Sequence, residues 1–243
     1  MRLSGLSLVV VLAALIGNSL AQSAPPPTTP PKVEWTKLTG VDSLAEIDKY
    51  LQMDFAEEPV EVENADGKKA TVATCLDFLK LVANGGYHFN GVRSDNEING
   101  SNGLTCYTYQ LLKDARPAKK TFLKDFKFNK GVIDLLSPKV TLSDGRNGEA
   151  DEAEKKGQSL KQFEPEIKVK SAEENKISVE TKSWEAEISY LARGDFDGQG
   201  LEEILLEVHG NSTVEGARGV FDNLYIMTRS ADHGPLKVVR EID

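Results

Sequence analysis

The 243-residue sequence predicts an α+β fold, a helical N-terminal part followed by a C-terminal antiparallel β meander. Apolar residues recur at helical spacing between about residue 43 and residue 136, and after Pro165 they alternate with polar ones. Short polar stretches separate most of the alternating runs. That selects antiparallel pairing, since parallel strands need crossover connections of about a dozen residues or more.

Residues 1–21 read as a secretory signal peptide. Arg2 supplies the positive start, Leu6 to Ile16 the apolar stretch, and Ser19-Leu20-Ala21 the small residues of a cleavage site before Gln22. The apolar run is shorter than the roughly 20 residues of a spanning helix, so no transmembrane segment is expected in the mature chain. No cysteine lies near the cleavage site, so lipid attachment there is not expected. Residues 22–34 form a proline-rich spacer; APPPTTPPK holds five of the ten prolines and favours an extended chain. It serves either to hold the fold away from a surface or simply as a frayed terminus.

Residues 35–136 are the helical part. Ser43-Leu44-Ala45-Glu46 has capping-box spacing ahead of Ile47, Tyr50 and Leu51, which predicts a helix near 43–54. Thr71 to Asn84 places Val72, Cys75, Leu76, Leu79 and Val82 on one face and stops at Gly85-Gly86. A third helix is expected from about Gly103 to Ala115, ending because Arg116 precedes Pro117. Shorter helical pieces are expected around 121–126 and 132–136.

Residues 137–165 lose any apolar period and read as a polar connector with a short helix near Leu160. Residues 166–243 form the β part. Its strands are expected around Ile167/Val169, Ile177/Val179, Trp184 to Tyr190, Ile204 to Val208, Leu224/Ile226 and Leu236/Val238.

Lys and Arg number 29 against 38 Asp and Glu, a formal net charge of −9. Such a balance argues against nucleic acid, which needs a clustered basic surface, and favours cationic partners. Cys75 and Cys106, an even pair in a chain with an export signal, are expected to form a disulfide linking the second and third helices. Their spacing is not the Cys-x-x-Cys of a redox-active pair.

The most distinctive segment is GDFDGQGLEEILL, Gly194 to Leu206, between two expected strands. Oxygens at positions one, three, five and nine of a tight loop, with the backbone carbonyl of position seven, can converge on calcium, a hard cation taking six to eight oxygen ligands. Here those positions are Asp195, Asp197, Gln199, the carbonyl of Leu201, and Glu203. The competing reading is a metal-free turn in which Asp195 and Asp197 accept backbone N–H bonds. An EF-hand is excluded because its twelfth position would be Leu206 rather than glutamate. Asp95 to Gly100 also alternates oxygen side chains but lacks a later acidic ligand, and reads as a polar turn.

The segment resembles the Asp-rich loop, D-x-D-x-D-G-x-x-D, of FG-GAP and VCBS-type repeats. It is also similar to a GDFDGDGxEDLL segment in uncharacterised exported bacterial proteins with a β-rich C-terminal part. The likeness covers about fifteen residues and implies a calcium-binding loop, not a whole fold. Gln199 and Glu203 stand where the repeats carry aspartate, so the loop has one negative charge fewer and one longer carboxylate, which weakens or alters coordination. A single copy does not imply a propeller.

Familiar catalytic signatures are absent: no G-x-S-x-G, H-E-x-x-H, Ser-x-x-Lys or P-loop, and Gly198-Gln199-Gly200 lacks a third glycine. His88, His209 and His233 are widely separated. Asn99-Gly100-Ser101 and Asn211-Ser212-Thr213 match the glycosylation acceptor pattern, which bears on the protein only in a eukaryotic secretory route. The expected function is that of a non-catalytic exported protein, periplasmic or secreted, which binds a protein or cell-envelope component and is stabilised by calcium. The alternatives are an exported hydrolase whose site is not visible as a motif, and a structural envelope protein with a metal-free loop.

Overall fold

A computed structural model of the protein describes residues 32–55, 59–89, 93–142, 146–214 and 219–242; of residues 89 and 93–102 it describes the backbone alone. The signal segment and nearly all of the proline-rich spacer lie outside the described residues.

The chain enters through β1 (Glu34–Trp35) and reaches α1 (Ile47–Gln52) by way of a 3-10 turn whose Ala45 N–H donates to the Ser43 hydroxyl. Sequence reasoning missed the next unit, the hairpin β2 (Val60–Glu63) and β3 (Lys69–Val72). The Asn64 carboxamide oxygen accepts the N–H groups of Asp66 and Lys68, and Gly67, at φ +75°, completes the turn. Thr74 caps α2 (Cys75–Gly85), which Gly86 ends in a left-handed conformation, and β4 (His88–Phe89) adds to β2. The helix α3 (Arg93–Asp114) starts about ten residues before its apolar stripe. The expected polar turn at Asp95 to Gly100 is therefore helical backbone. Nearly all its residues are polar, so no periodic signal marked it.

A disulfide joins Cys75 of α2 to Cys106 of α3. Both cysteines are buried among Leu51, Val62, Val72, Phe78 and Tyr87, so α1, α2, α3 and the three-stranded sheet share one small core.

The chain between α3 and the large sheet, including the polar connector expected at 137–165, carries structure. Residues 121–126 form no helix, yet Leu123 and Phe126 are buried, followed by 3-10 turns at Val132–Asp134 and Pro138–Val140. Then come α4 (Asn147–Lys155) and α5 (Leu160–Phe163), the latter with a Ser159/Gln162 capping box. Ala150 and Ala153, three apart, seat α4, Glu154 accepts the Ser137 hydroxyl and the Val238 N–H, and Glu149, Glu152 and Lys155 are exposed. Two small residues are too faint a stripe to stand out among the acidic and basic ones.

The remainder forms the expected antiparallel sheet, made of β5 (Lys168–Ala172), β6 (Lys176–Glu180), β7 (Trp184–Gly194), β8 (Glu203–Ser212), β9 (Val220–Thr228) and β10 (Lys237–Ile242). They lie in the order β10-β9-β8-β7-β6-β5, a meander, and β1 pairs with the upper end of β7. One face, with Ile188, Ile204, Leu206, Val208, Tyr225 and Met227, is covered by the segment from Leu123 to Leu160. The other face is covered over half its extent, where Leu191, Ala192, Leu205, Leu224 and Ile226 meet Leu104, Leu111 and Leu112 of α3. A bulge between Tyr190 and Ala192 lets Leu191 and Ala192 both join this second core. Among the described residues no helix is long and apolar enough to cross a membrane.

Candidate functional site

The Asp-rich segment is the connection from β7 to β8, opening after the pair Gly194–Glu203. Gly198 and Gly200 have φ of +78° and +83°, which L-residues with a side chain rarely adopt. A Cβ on Gly200 would also lie 3.2 Å from the Lys119 side chain. The glycines therefore have a geometric reason.

Within the loop, Asp195 is buried. Its two carboxylate oxygens accept the N–H groups of Gly198 (2.8 Å) and Gly200 (2.9 Å). Asp197 is exposed and accepts the N–H of Gln199 at 2.9 Å. Glu203, 1% exposed, accepts the N–H of Phe196 at 2.9 Å. The carboxylate oxygens that Asp195, Asp197 and Glu203 offer all lie within 4.8 Å of one another, the spacing of groups that can share a metal ion. Three of the five sequence-predicted ligands thus converge. Gln199 is exposed and Leu201, whose carbonyl is the fifth expected ligand, is half-buried.

Burial pushes the Glu203 carboxyl up to about 7, and the negative charges of Asp197 and Asp195 push the same way; the N–H bonds it accepts oppose the shift only in part. Three converging carboxylates without a cation repel one another, so a bound divalent ion would relieve both the repulsion and the cost of burying Glu203. The neighbouring Glu202, equally buried, points to the opposite side of the strand. There it takes Arg193 in a two-pronged ion pair, 3.0 Å from Nε and 2.6 Å from Nη2, and accepts the Thr121 hydroxyl.

The loop is also clamped from outside by the segment that follows α3. Arg116 and Asp195 exchange backbone hydrogen bonds at 3.0 and 2.9 Å. The Gly200 carbonyl accepts the N–H groups of Lys119 (2.8 Å) and Lys120 (3.0 Å), and Glu202 N–H donates to the Lys120 carbonyl at 2.8 Å. Sequence reasoning missed this clamp, because a backbone contact across some 80 residues leaves no side-chain signature.

The three histidines do not meet. His88 lies in β4, His233 is exposed after β9, and His209 in β8 faces Asp222 of β9 through Nδ1. That pair sits on the uncovered half of the sheet, and its carboxylate could not have been selected from 38 acids in advance. No family model matches the sequence, and neither a curated protein nor a solved structure matches it.

Proposed function

We propose that this is a non-catalytic, exported binding protein whose β7–β8 loop holds a calcium ion as a structural element. The observation that carries the metal reading is the convergence of Asp195, Asp197 and Glu203, with Glu203 buried and without a cationic partner among the described residues. In that reading calcium would take carboxylate oxygens from these residues, with Gln199 and the Leu201 carbonyl completing the hard-oxygen shell. The ion would brace the junction between the sheet and the segment after α3. Export is supported by the N-terminal signal pattern and by the disulfide, which persists in oxidising compartments. A binding role is favoured over hydrolysis because the histidine–carboxylate pair found among the described residues lies on an open sheet face rather than in a deep pocket.

A second reading, the metal-free loop, rests on Asp195, both of whose oxygens already accept N–H bonds. Thermal unfolding of residues 22–243 in EDTA and across a calcium series separates the two. Asp197→Asn is the informative variant, since an asparagine can still accept the Gln199 N–H but brings no charge to the ion. The metal reading predicts that calcium raises the melting temperature of the parent protein and not of the variant, by mass action on the folded state. Equal melting in EDTA and calcium would leave the metal-free reading standing.

A further inference from the structure

The half of the β7–β8–β9 face that α3 does not cover forms an ordered array of polar side chains. Strand register sets Ser178, Glu187, His209 and Asp222 in one row across β6, β7, β8 and β9. On one side of it lies the row Glu180, Glu185 and Asn211, and on the other Lys176, Ser189 and Glu207. A shallow groove of about 430 Å³ runs over this array, lined by Ser178, Glu185, Glu187, His209 and Asn211, with Lys170 at its edge.

Charges on this face do not cancel. Lys176 pairs with Glu187 at 2.7 Å and Lys170 with Glu180 at 2.9 Å, while Asp222 holds His209 Nδ1. Glu185 and Glu207 make no ion pair among the described residues. Burial first, and then the charges of Asp222 and Glu187, raise Glu207, while His209 and Lys176 oppose the shift. Because the Asp222 carboxylate accepts, the proton of a neutral His209 sits on Nδ1. Nε2 then accepts from the Asn211 amide nitrogen at 3.1 Å, leaving the Asn211 carbonyl oxygen turned to other donors. The face is therefore rich in acceptors.

We infer that this open sheet face docks an extended basic segment of a partner protein, whose cationic side chains are received by Glu185, Glu187 and Glu207. The occupant follows from charge and spacing. No group of three acidic or histidine side chains on this face converges within 4.8 Å among the described residues, so a bare ion is not chelated here. Glu185 and Glu187, two apart on one strand, stand about 7 Å from each other, and alternate side chains of an extended peptide repeat at the same interval. The inference rests on the binding-protein reading and is independent of the calcium loop.

The test uses a fluorescently labelled peptide of alternating lysine and serine, with an alternating glutamate–serine peptide as its opposite, and follows binding to residues 22–243 by anisotropy. The basic peptide is expected to bind, more weakly as salt rises, and the acidic one not to. Glu185→Gln/Glu207→Gln should weaken binding about tenfold. Asp151→Asn/Glu152→Gln, which removes the same charge from α4 beside the opposite face, should leave it unchanged. Equal weakening by both double variants, or no binding of the basic peptide to the parent protein, would overturn the assignment. The calcium response of melting, measured on the same samples, tests the loop separately.

Discussion

Glu202 and Glu203 are neighbours in sequence and equally buried, yet strand alternation gives them opposite surroundings: Arg193 and Thr121 for one, Asp195 and Asp197 for the other. Substitutions should therefore have opposite signs. In EDTA at pH 8, Glu202→Gln strips a partly buried arginine of its partner and should lower stability by about 3 kcal/mol in urea unfolding. Glu203→Gln removes a buried charge without a cation and should raise stability. A folded-state value raised to about 7 means that the folded protein keeps a proton which the unfolded chain has lost. The stability this confers is full below about pH 4.5 and is lost as pH rises through about 7, a change of roughly 3 kcal/mol. Stability against pH should show that decline in the metal-free parent and not in Glu203→Gln. The loop itself was legible because glycines and carboxylates at fixed offsets are local. The difference between the two glutamates was not, since it depends on Arg193 and Thr121 arriving from other strands and segments.

At the level of elements, α3 connects the rest. It is tied to α2 by the disulfide, lies on the sheet through Leu104, Leu111 and Leu112, and runs into the segment that clamps the Asp-rich loop. Closing a loop with a separation of 31 residues should contribute about 3–4 kcal/mol, so Cys75→Ser/Cys106→Ser should lower the unfolding free energy in urea by that amount. Gly200→Ala should cost about 1–2 kcal/mol, because it forces a side chain into a left-handed conformation beside Lys119. Differential scanning calorimetry checks both. The apolar faces of α1, α2 and the later part of α3 were readable, as were the strands after Pro165, because each buries a regular stripe. The hairpin at 60–72 carried a signal, Val60/Val62 alternation and Asp66-Gly67, that went unread. The helical start of α3 and α4 carried almost none.

Across the whole molecule, the large sheet belongs to two cores at once, one under the 123–160 segment and one under α3. Residues from both cores alternate along β8 and β9, so neither core can lose its order while the other keeps its strands. The two tryptophans report on them separately, Trp184 in the first and Trp35 beside the second. Trp35→Phe and Trp184→Phe variants, each followed by the remaining tryptophan, should give coincident urea transitions. Separate midpoints would divide the molecule into independent units. The sequence placed the large antiparallel sheet in the C-terminal half, but not the strands β2 to β4 among the helices, nor the middle of the chain over one face of the sheet.

Calcium binding at the β7–β8 loop, as proposed, is open to calorimetric titration of the EDTA-stripped protein. One calcium ion per chain is expected, with binding lost in Asp197→Asn and in Glu203→Gln while both variants remain folded. Absence of binding in the parent protein, or binding that survives both substitutions, would contradict it.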